Sequence, residues 1–334
     1  MLKKVFLWGV AIAVVLVMTF LIAAQLSPWP SALAYRYVFN LDGTSKNDGL
    51  AKHVPPGVSA RLNERYHSMD RDTTFDVFYP SDISGTDRVL PTIVWIHGGG
   101  FIAGSKDHVA NYLRILASKG YTTIGIDYSL APRRIYPTPI RQANIALGHI
   151  TRNAKRLHVD PARLFIAGDS AGAQIAAQLS LVISEPRYAS DMGITPTIES
   201  RHLRGVILHC GFYDPPNLGL RGGIVGRFVD TALWSYFGTR KTADDPRIRQ
   251  FLVTNNLKST YPPVFISVGN ADILSSQSRE FAGTARRLGV SVDALFFPDS
   301  YTPPLQHEYQ FNLDIEAGNM ALTRTLAFLR ARQN

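Results

Sequence analysis

The stretch Gly168-Asp169-Ser170-Ala171-Gly172 sets a serine in Gly-x-Ser-x-Gly spacing. The chemistry served by that spacing is nucleophilic attack. A strand that turns sharply into a helix forces unusual backbone angles on the central serine, and only small neighbours let it do so. The hydroxyl is then lifted clear of the backbone. An apolar, strand-like run, Leu164–Ala167, leads into this pattern, and a small-residue helical run, Ala171–Ile183, leaves it. The Ala171 N–H therefore falls at a helix N-terminus, where it can donate to a developing oxyanion. Glycine and serine are common, so the pattern alone also fits an ordinary strand-to-helix connection.

A serine at neutral pH needs a base, normally a histidine held by a carboxylate. The chain has nine histidines. With the elbow on a strand-to-helix turn, the expected order is serine, acid, histidine, so the base follows Ser170 at a distance. His53, His67, His97, His108, His149 and His158 precede the serine, and His202 and His209 lie close after it, beside or within a strand pattern. His307 remains, in a loop between the last strand pattern, Val292–Phe297, and the final helical pattern, Glu316–Arg330. Asp272 is the expected acid, since it follows the strand Val264–Val268 through Gly269-Asn270-Ala271 and so reaches the same rim. Asp299 is the runner-up; Asp293 sits inside a strand pattern, and Glu308 adjoins the histidine too closely to reach its ring. His307-Glu308-Tyr309-Gln310-Phe311 carries phenylalanine where a zinc helix needs its second histidine, so no metal site is expected.

Upstream, His97-Gly98-Gly99-Gly100-Phe101 follows the strand pattern Thr92–Ile96. Successive glycines leave backbone N–H groups uncovered, so this loop and Ala171 can converge on one carbonyl oxygen. The same residues also make Gly98-x-Gly100-x-x-Ala103, with Asp127 ending the next strand, a passable dinucleotide fingerprint. That reading explains neither His97 nor the serine elbow, and its consequence is testable as saturable NAD binding.

The elements that must carry these residues alternate. Strand patterns at Thr74–Tyr79, Thr92–Ile96, Thr122–Asp127, Leu164–Ala167, Gly205–His209, Val264–Val268 and Val292–Phe297 are interleaved with helical patterns. The latter are His108–Lys119, Ile140–Leu157, Ala171–Ile183, Gln277–Leu288 and Glu316–Arg330. This predicts an α/β fold, a largely parallel sheet between helices. Residues 212–260, with Pro215-Pro216, Gly222-Gly223 and Trp234, break the rhythm as a cap insertion at a strand's carboxyl end does. Phe212, Tyr213, Trp234 and Phe237 are its candidate pocket aromatics.

At the other end, Lys3 and Lys4 precede an uncharged run from Val5 to Ala24. As a helix it spans about 30 Å, the thickness of a bilayer's hydrocarbon. Residues 1–30 are expected to be an uncleaved anchor, with a signal peptide cut near Ala32-Leu33-Ala34 as the second reading. Either way the lysines stay in the cytoplasm and the remainder crosses. Residues 31–72 show no clean periodicity and are expected to be a linker and part of the cap, with 73–334 the catalytic domain. Of the 334 residues 46% are hydrophobic and 18% charged, which excludes a disordered chain, and a single cysteine, Cys210, excludes a disulfide scaffold. The net charge of +9 comes without a basic run longer than a pair, so it reads as a basic surface and no nucleic-acid partner is expected.

Together the residues resemble the hormone-sensitive-lipase-like branch of the α/β-hydrolases. His97-Gly98-Gly99-Gly100-Phe101-Ile102-Ala103-Gly104-Ser105 is similar to that branch's oxyanion segment. Asp127-Tyr128-Ser129-Leu130-Ala131-Pro132 with Tyr136-Pro137 is similar to its Asp-Tyr-Arg-Leu-Ala-Pro…Phe-Pro stretch, and Gly168–Gly172 matches its elbow. The resemblance implies oxyanion donors at Gly99, Gly100 and Ala171, Asp272 as acid, His307 as base, and a cofactor-free carboxylesterase with a helical cap. Its substrates would be short- to medium-chain or lipid esters, met outside the cytoplasm at the membrane, or in secretion if the leader is cleaved. Ser129, Arg133, Ile273, Ser276-Gln277 and Glu308 depart from the branch's pattern, the last standing where a glycine usually follows the histidine. A non-catalytic binding protein on a hydrolase scaffold is the alternative.

Overall fold

The computed structural model describes residues 2–68, 70–214 and 222–333. Two helices come first, α1 (Leu2–Leu26) and α2 (Trp29–Leu50). Between them Ser27-Pro28 interrupts the ladder, and Pro30 sits in the first turn of α2, where a missing N–H costs nothing. Lys3–Leu26 has a mean hydropathy of 2.8 and none of it is buried, so it is long and apolar enough to cross a membrane.

Eight strands follow: β1 (Val58–Arg65), β2 (Thr74–Pro80), β3 (Leu90–Ile96), β4 (Thr122–Ile126), β5 (Val159–Asp169), β6 (Leu203–His209), β7 (Val264–Val268) and β8 (Val292–Phe296). They form one sheet in the order β1-β2-β4-β3-β5-β6-β7-β8. β1 and β2 pair antiparallel and β2 runs antiparallel to β4; the remaining pairs are parallel. The parallel strands read as continuous apolar runs because both faces are covered. Along β3, Ile93 and Trp95 join one core cluster while Val94 and Ile96 join the other. That is the period-two alternation of a pleated strand between two layers.

One layer is built on α3 (Ala110–Ala117) and α11 (Glu316–Arg330); the other on α4 (Thr138–Arg152), α5 (Ser170–Ser184) and α10 (Ser275–Arg287). After α5 comes a short α6 (Pro186–Met192), and between β6 and β7 lie α7 (Gly223–Phe237), α8 (Ile248–Phe251) and α9 (Val253–Asn256). The helices of this last insertion occupy most of the expected cap segment; Pro215-Pro216 falls outside the described residues.

The seven expected strands and five expected helices all appear, within a few residues at their ends. Two large elements were not expected. β1 is an edge strand with mixed burial and no alternation strong enough to read. α2 occupies the segment without periodicity.

What the sheet does for function follows from register. Ile96 lies beside Gly168, Asp169 beside His209, and His209 beside Ser267. Four neighbouring strands thus end at one edge. The glycine loop, the elbow, Cys210 and the Gly269–Asp272 loop all emerge there.

Candidate active site

The elbow sits where β5 becomes α5. Ser170 has φ +52°, the left-handed region that an ordinary residue enters only under constraint. The constraint is packing: a Cβ at Gly172 would run into the backbone carbonyls of Ile96 and His97, so β3 lies directly against the first turn of α5. Only glycine permits that approach.

His307 completes the arrangement from the loop after β8. Its Nε2 lies 3.0 Å from Ser170 Oγ and its Nδ1 lies 2.8 Å from Asp272 Oδ2. Asp272 is buried and its other oxygen accepts the Leu274 N–H at 2.8 Å, which fixes the carboxylate plane. Asn270 ties the two loops together: its side chain accepts from the Leu305 N–H at 2.9 Å and donates to the Tyr301 carbonyl at 3.1 Å. Asp299 contributes only a backbone carbonyl to this clamp, and Asp293 pairs with Arg324.

Burial works against an imidazolium at His307, but Cys210 and Asp272 beside it outweigh that and hold its pKa well above the usual histidine range. Burial pushes the Cys210 thiol up. Cys210, Asp272 and His307 each bring one ligand-capable atom within 4.8 Å of the others. Both histidine nitrogens are already engaged by Asp272 and Ser170, so this trio is a hydrogen-bonded relay with a thiol packed against it.

The glycine loop is held by the residue before the serine. Asp169 accepts from Trp95 Nε1 at 2.7 Å and from the Gly98 N–H at 2.8 Å, and gives no side-chain bond to its own helix. Gly99 and Gly100, at φ +110° and +60°, line the same cavity as Ser170 and Ala171. With the Gly98 N–H committed to Asp169, Gly99, Gly100 and Ala171 are left lining the cavity beside Ser170. His97 stacks on Tyr128 at 4.4 Å, and its Nδ1 lies 2.8 Å from the Gly98 carbonyl, which can only accept. Burial lowers its pKa to about 3, so it is a neutral brace. Asp127 is equally committed, to Thr74 Oγ1 and the Lys106 N–H, which removes the acidic residue that the dinucleotide fingerprint requires.

Glu308 was set aside as the partner of His307, and Asp272 indeed takes Nδ1. Yet Glu308, at φ +62°, curls back on the other side, its Oε1 3.9 Å from His307 Nε2. Its Oε2 is 2.7 Å from Lys46 Nζ, which also pairs with Asp42 at 2.7 Å. Burial opposes charge on Glu308, but His307 and Lys46 overcome it and lower its pKa. Burial and this neighbouring carboxylate raise the pKa of Asp169, against the bonds from Trp95 and Gly98. Sequence reasoning missed Lys46 and Asp169 altogether. A signal existed for Asp169, a buried-type position beside the serine, but none for Lys46, whose helix was not recognised.

The cavity over the serine has a volume of about 490 Å³ and mostly apolar walls. Of the four cap aromatics expected from sequence, Phe212 lines it; Tyr213 and Phe237 are buried packing, and Trp234 lies under Arg240. Phe101 and Phe311 also line it, as do Tyr35 and Phe39 of α2 and Phe228 of α7. Phe228 contacts Tyr35 and Phe39, with ring centroids 5.2 Å and 4.7 Å away.

Residues 93–301 match the alpha/beta hydrolase fold family, well over half of the chain. The chain belongs to this family. Solved structures agree on the fold. It is similar to esterase B from Lactobacillus rhamnosis at 22% identity, with a TM-score of 0.75 over 91% of this chain and 96% of that one. It is similar to a thermophilic carboxylesterase cloned from a metagenomic library at 19% identity, with a TM-score of 0.70 over 92% and 98%. A bacterial heroin esterase matches at 22% identity, with a TM-score of 0.68 over 90% and 91%. This α/β-hydrolase therefore carries its serine, histidine and aspartate at the rim where the fold presents its loops.

Proposed function

We propose that this protein is a membrane-held serine carboxylesterase, cleaving carboxylic esters through an acyl-enzyme on Ser170. The observation that carries the proposal is the unbroken hydrogen-bonded line Ser170–His307–Asp272 at 3.0 and 2.8 Å, opening into an apolar cavity. His307 takes the serine proton as Oγ attacks the ester carbonyl. Asp272 holds the Nδ1–H tautomer and stabilises the imidazolium. The N–H groups of Gly99, Gly100 and Ala171 receive the oxyanion, each worth about 2.7–4 kcal/mol in comparable sites. His307 then protonates the departing alcohol, water attacks the acyl group, and Ser170 is restored with release of the acid. These steps need no metal or organic cofactor. Esterase B from Lactobacillus rhamnosis has been solved with a tributyrin phosphonate inhibitor, which points to glyceride-type esters as a class worth testing here.

The anchor reading is supported by the unburied apolar face of α1 and by Ala32, which is fully buried within the continuous helix α2. Cleavage near Ala32–Ala34 would remove the first turn of a helix that walls the cavity. Lys3 and Lys4 at the start of α1 support placing the catalytic domain on the extracytoplasmic side.

The test is hydrolysis of a chain-length series of p-nitrophenyl esters by the full chain in detergent micelles, beside Ser170→Ala. Turnover that peaks at one chain length and collapses in the variant is expected. Ester binding without turnover by the unaltered chain would favour the non-catalytic alternative.

A further inference from the structure

α2 is amphipathic in the wrong sense for a helix on a soluble protein. Its inward side carries polar residues among Ala32, Tyr35 and Phe39. Arg36 donates to the carbonyls of Ile102 and Ala131 at 2.6 and 2.9 Å, and Asn40 accepts the Gly104 N–H at 3.0 Å. Further along, Lys46 pairs with Glu308, and Asn47 accepts two hydrogen bonds from Asn111. The outward residues are apolar. From Trp29 to Leu41 every exposed residue is apolar: Trp29, Leu33, Ala34, Tyr37, Val38 and Leu41. The larger ones past Trp29 are 50–69% exposed. This face spans about 18 Å of helix. At Asp42 it ends, and the exposed positions beyond are Asp42, Thr44, Ser45, Asp48 and Gly49.

Continuity says what covers it. The apolar face begins across a two-residue break from α1, whose whole circumference is apolar and unburied. That junction is fixed and not a loose tether. Arg240, beyond the end of α7, donates to the Ala24 and Gln25 carbonyls at the end of α1 and stacks on Trp234 at 4.0 Å. α7 adds Ile224, 82% exposed, and Val225, both on the cavity lip with Val38. Polar bonds hold the helix to the enzyme, while its free face offers only the kind of surface that enters a headgroup–acyl boundary.

We propose that Trp29–Leu41 lies against the bilayer surface, so that the cavity lip meets the lipid boundary and the esters taken up are acyl esters of membrane amphiphiles. This rests on α1 being a membrane helix and, for its substrate, on the hydrolase reading.

The full chain, reconstituted in phosphatidylcholine vesicles, tests it with single cysteines carrying an environment-sensitive dye, Cys210 being fully buried. Labels at Tyr37→Cys, Val15→Cys in α1 and Lys155→Cys on an exposed far position are compared under spin-labelled lipid. Quenching at Tyr37 close to that at Val15, with none at Lys155, is the expected result. Quenching at Val15 alone would overturn the placement of α2 and leave the anchor standing; no quenching at either would overturn both. In a second measurement, the Leu33→Gln/Tyr37→Gln/Leu41→Gln variant should keep its rate on soluble p-nitrophenyl butyrate. Its rate on a long-chain fluorogenic ester dissolved in the vesicle should fall roughly tenfold. Equal loss on both esters, or on neither, would contradict the substrate claim. Quenching as expected with no turnover of either ester by the unaltered chain would remove the hydrolase reading and keep the placement.

Discussion

The carboxyl edge of the sheet and the helix α2 meet over the same cavity but are built on opposite plans. At the sheet edge apolar residues point inward, two layers of helices seal them, and the reactive atoms sit on turns locked by backbone contact. In the first half of α2 Arg36 and Asn40 point inward and the exposed residues are apolar, and the helix is held by side-chain hydrogen bonds to loop backbone, Arg36 donating to two carbonyls and Asn40 accepting one N–H. The first plan holds Ser170 on a turn fixed by close backbone packing. The second gives a wall that can face lipid on one side and contribute Tyr35, Phe39 and Lys46 to the site on the other. Chemistry belongs to the edge; access and part of the electrostatics belong to the helix.

If that division holds, variants at the edge strike kcat and variants in α2 strike KM or the pH profile. Ser170→Ala should lower kcat the most, by a factor of roughly 10⁶, read with a soluble ester under saturating conditions. Asp272→Asn should cost about 10⁴ in kcat by favouring the wrong histidine tautomer, with KM nearly unchanged. Asp169→Ala leaves the buried Trp95 Nε1–H and Gly98 N–H without acceptors, so thermal unfolding should show about 1–3 kcal/mol lost per donor, together with weaker oxyanion stabilisation.

The α2 variants should be milder. Arg36→Ala removes two charge-assisted bonds to loop carbonyls, worth about 1.5–3 kcal/mol of stability each, and should raise KM several-fold while kcat changes little. For pH, the base must be neutral to act and its pKa is raised, so kcat/KM should climb with pH and level off above the ordinary histidine range. Glu308→Gln removes a negative charge 3.9 Å from Nε2, destabilises the imidazolium and should move that acid limb down by about one unit. A drop in kcat for Arg36→Ala as deep as that of Asp272→Asn would break the division.

The same contrast decides what could be read in the sequence. Residues that chemistry forces into fixed local patterns were legible: the elbow, the triple glycine and the strands that end beside them. His307 and Asp272 were reachable because chain order leaves few alternatives, and the structure puts them within hydrogen-bond range of each other. α2 was illegible because its periodicity is inverted. A pattern of Arg36, Asn40, Lys46 and Asn47 on the buried side cancels the apolar signal from Leu33, Tyr37, Val38 and Leu41 on the other. The pairing of Lys46 with Glu308 followed it out of view, since it spans 262 residues of chain and leaves no local mark.

The central claim is that Ser170 is the nucleophile of an acyl-transfer site, and covalent trapping tests it most directly. The full chain is treated with a p-nitrophenyl alkylphosphonate, and the modified residue is located by peptide mass mapping. The account predicts one adduct, on Ser170, with release of one equivalent of p-nitrophenol, loss of ester hydrolysis in step with labelling, and no adduct in Ser170→Ala. Stoichiometric labelling at another residue, or hydrolysis that survives full modification of Ser170, would contradict it.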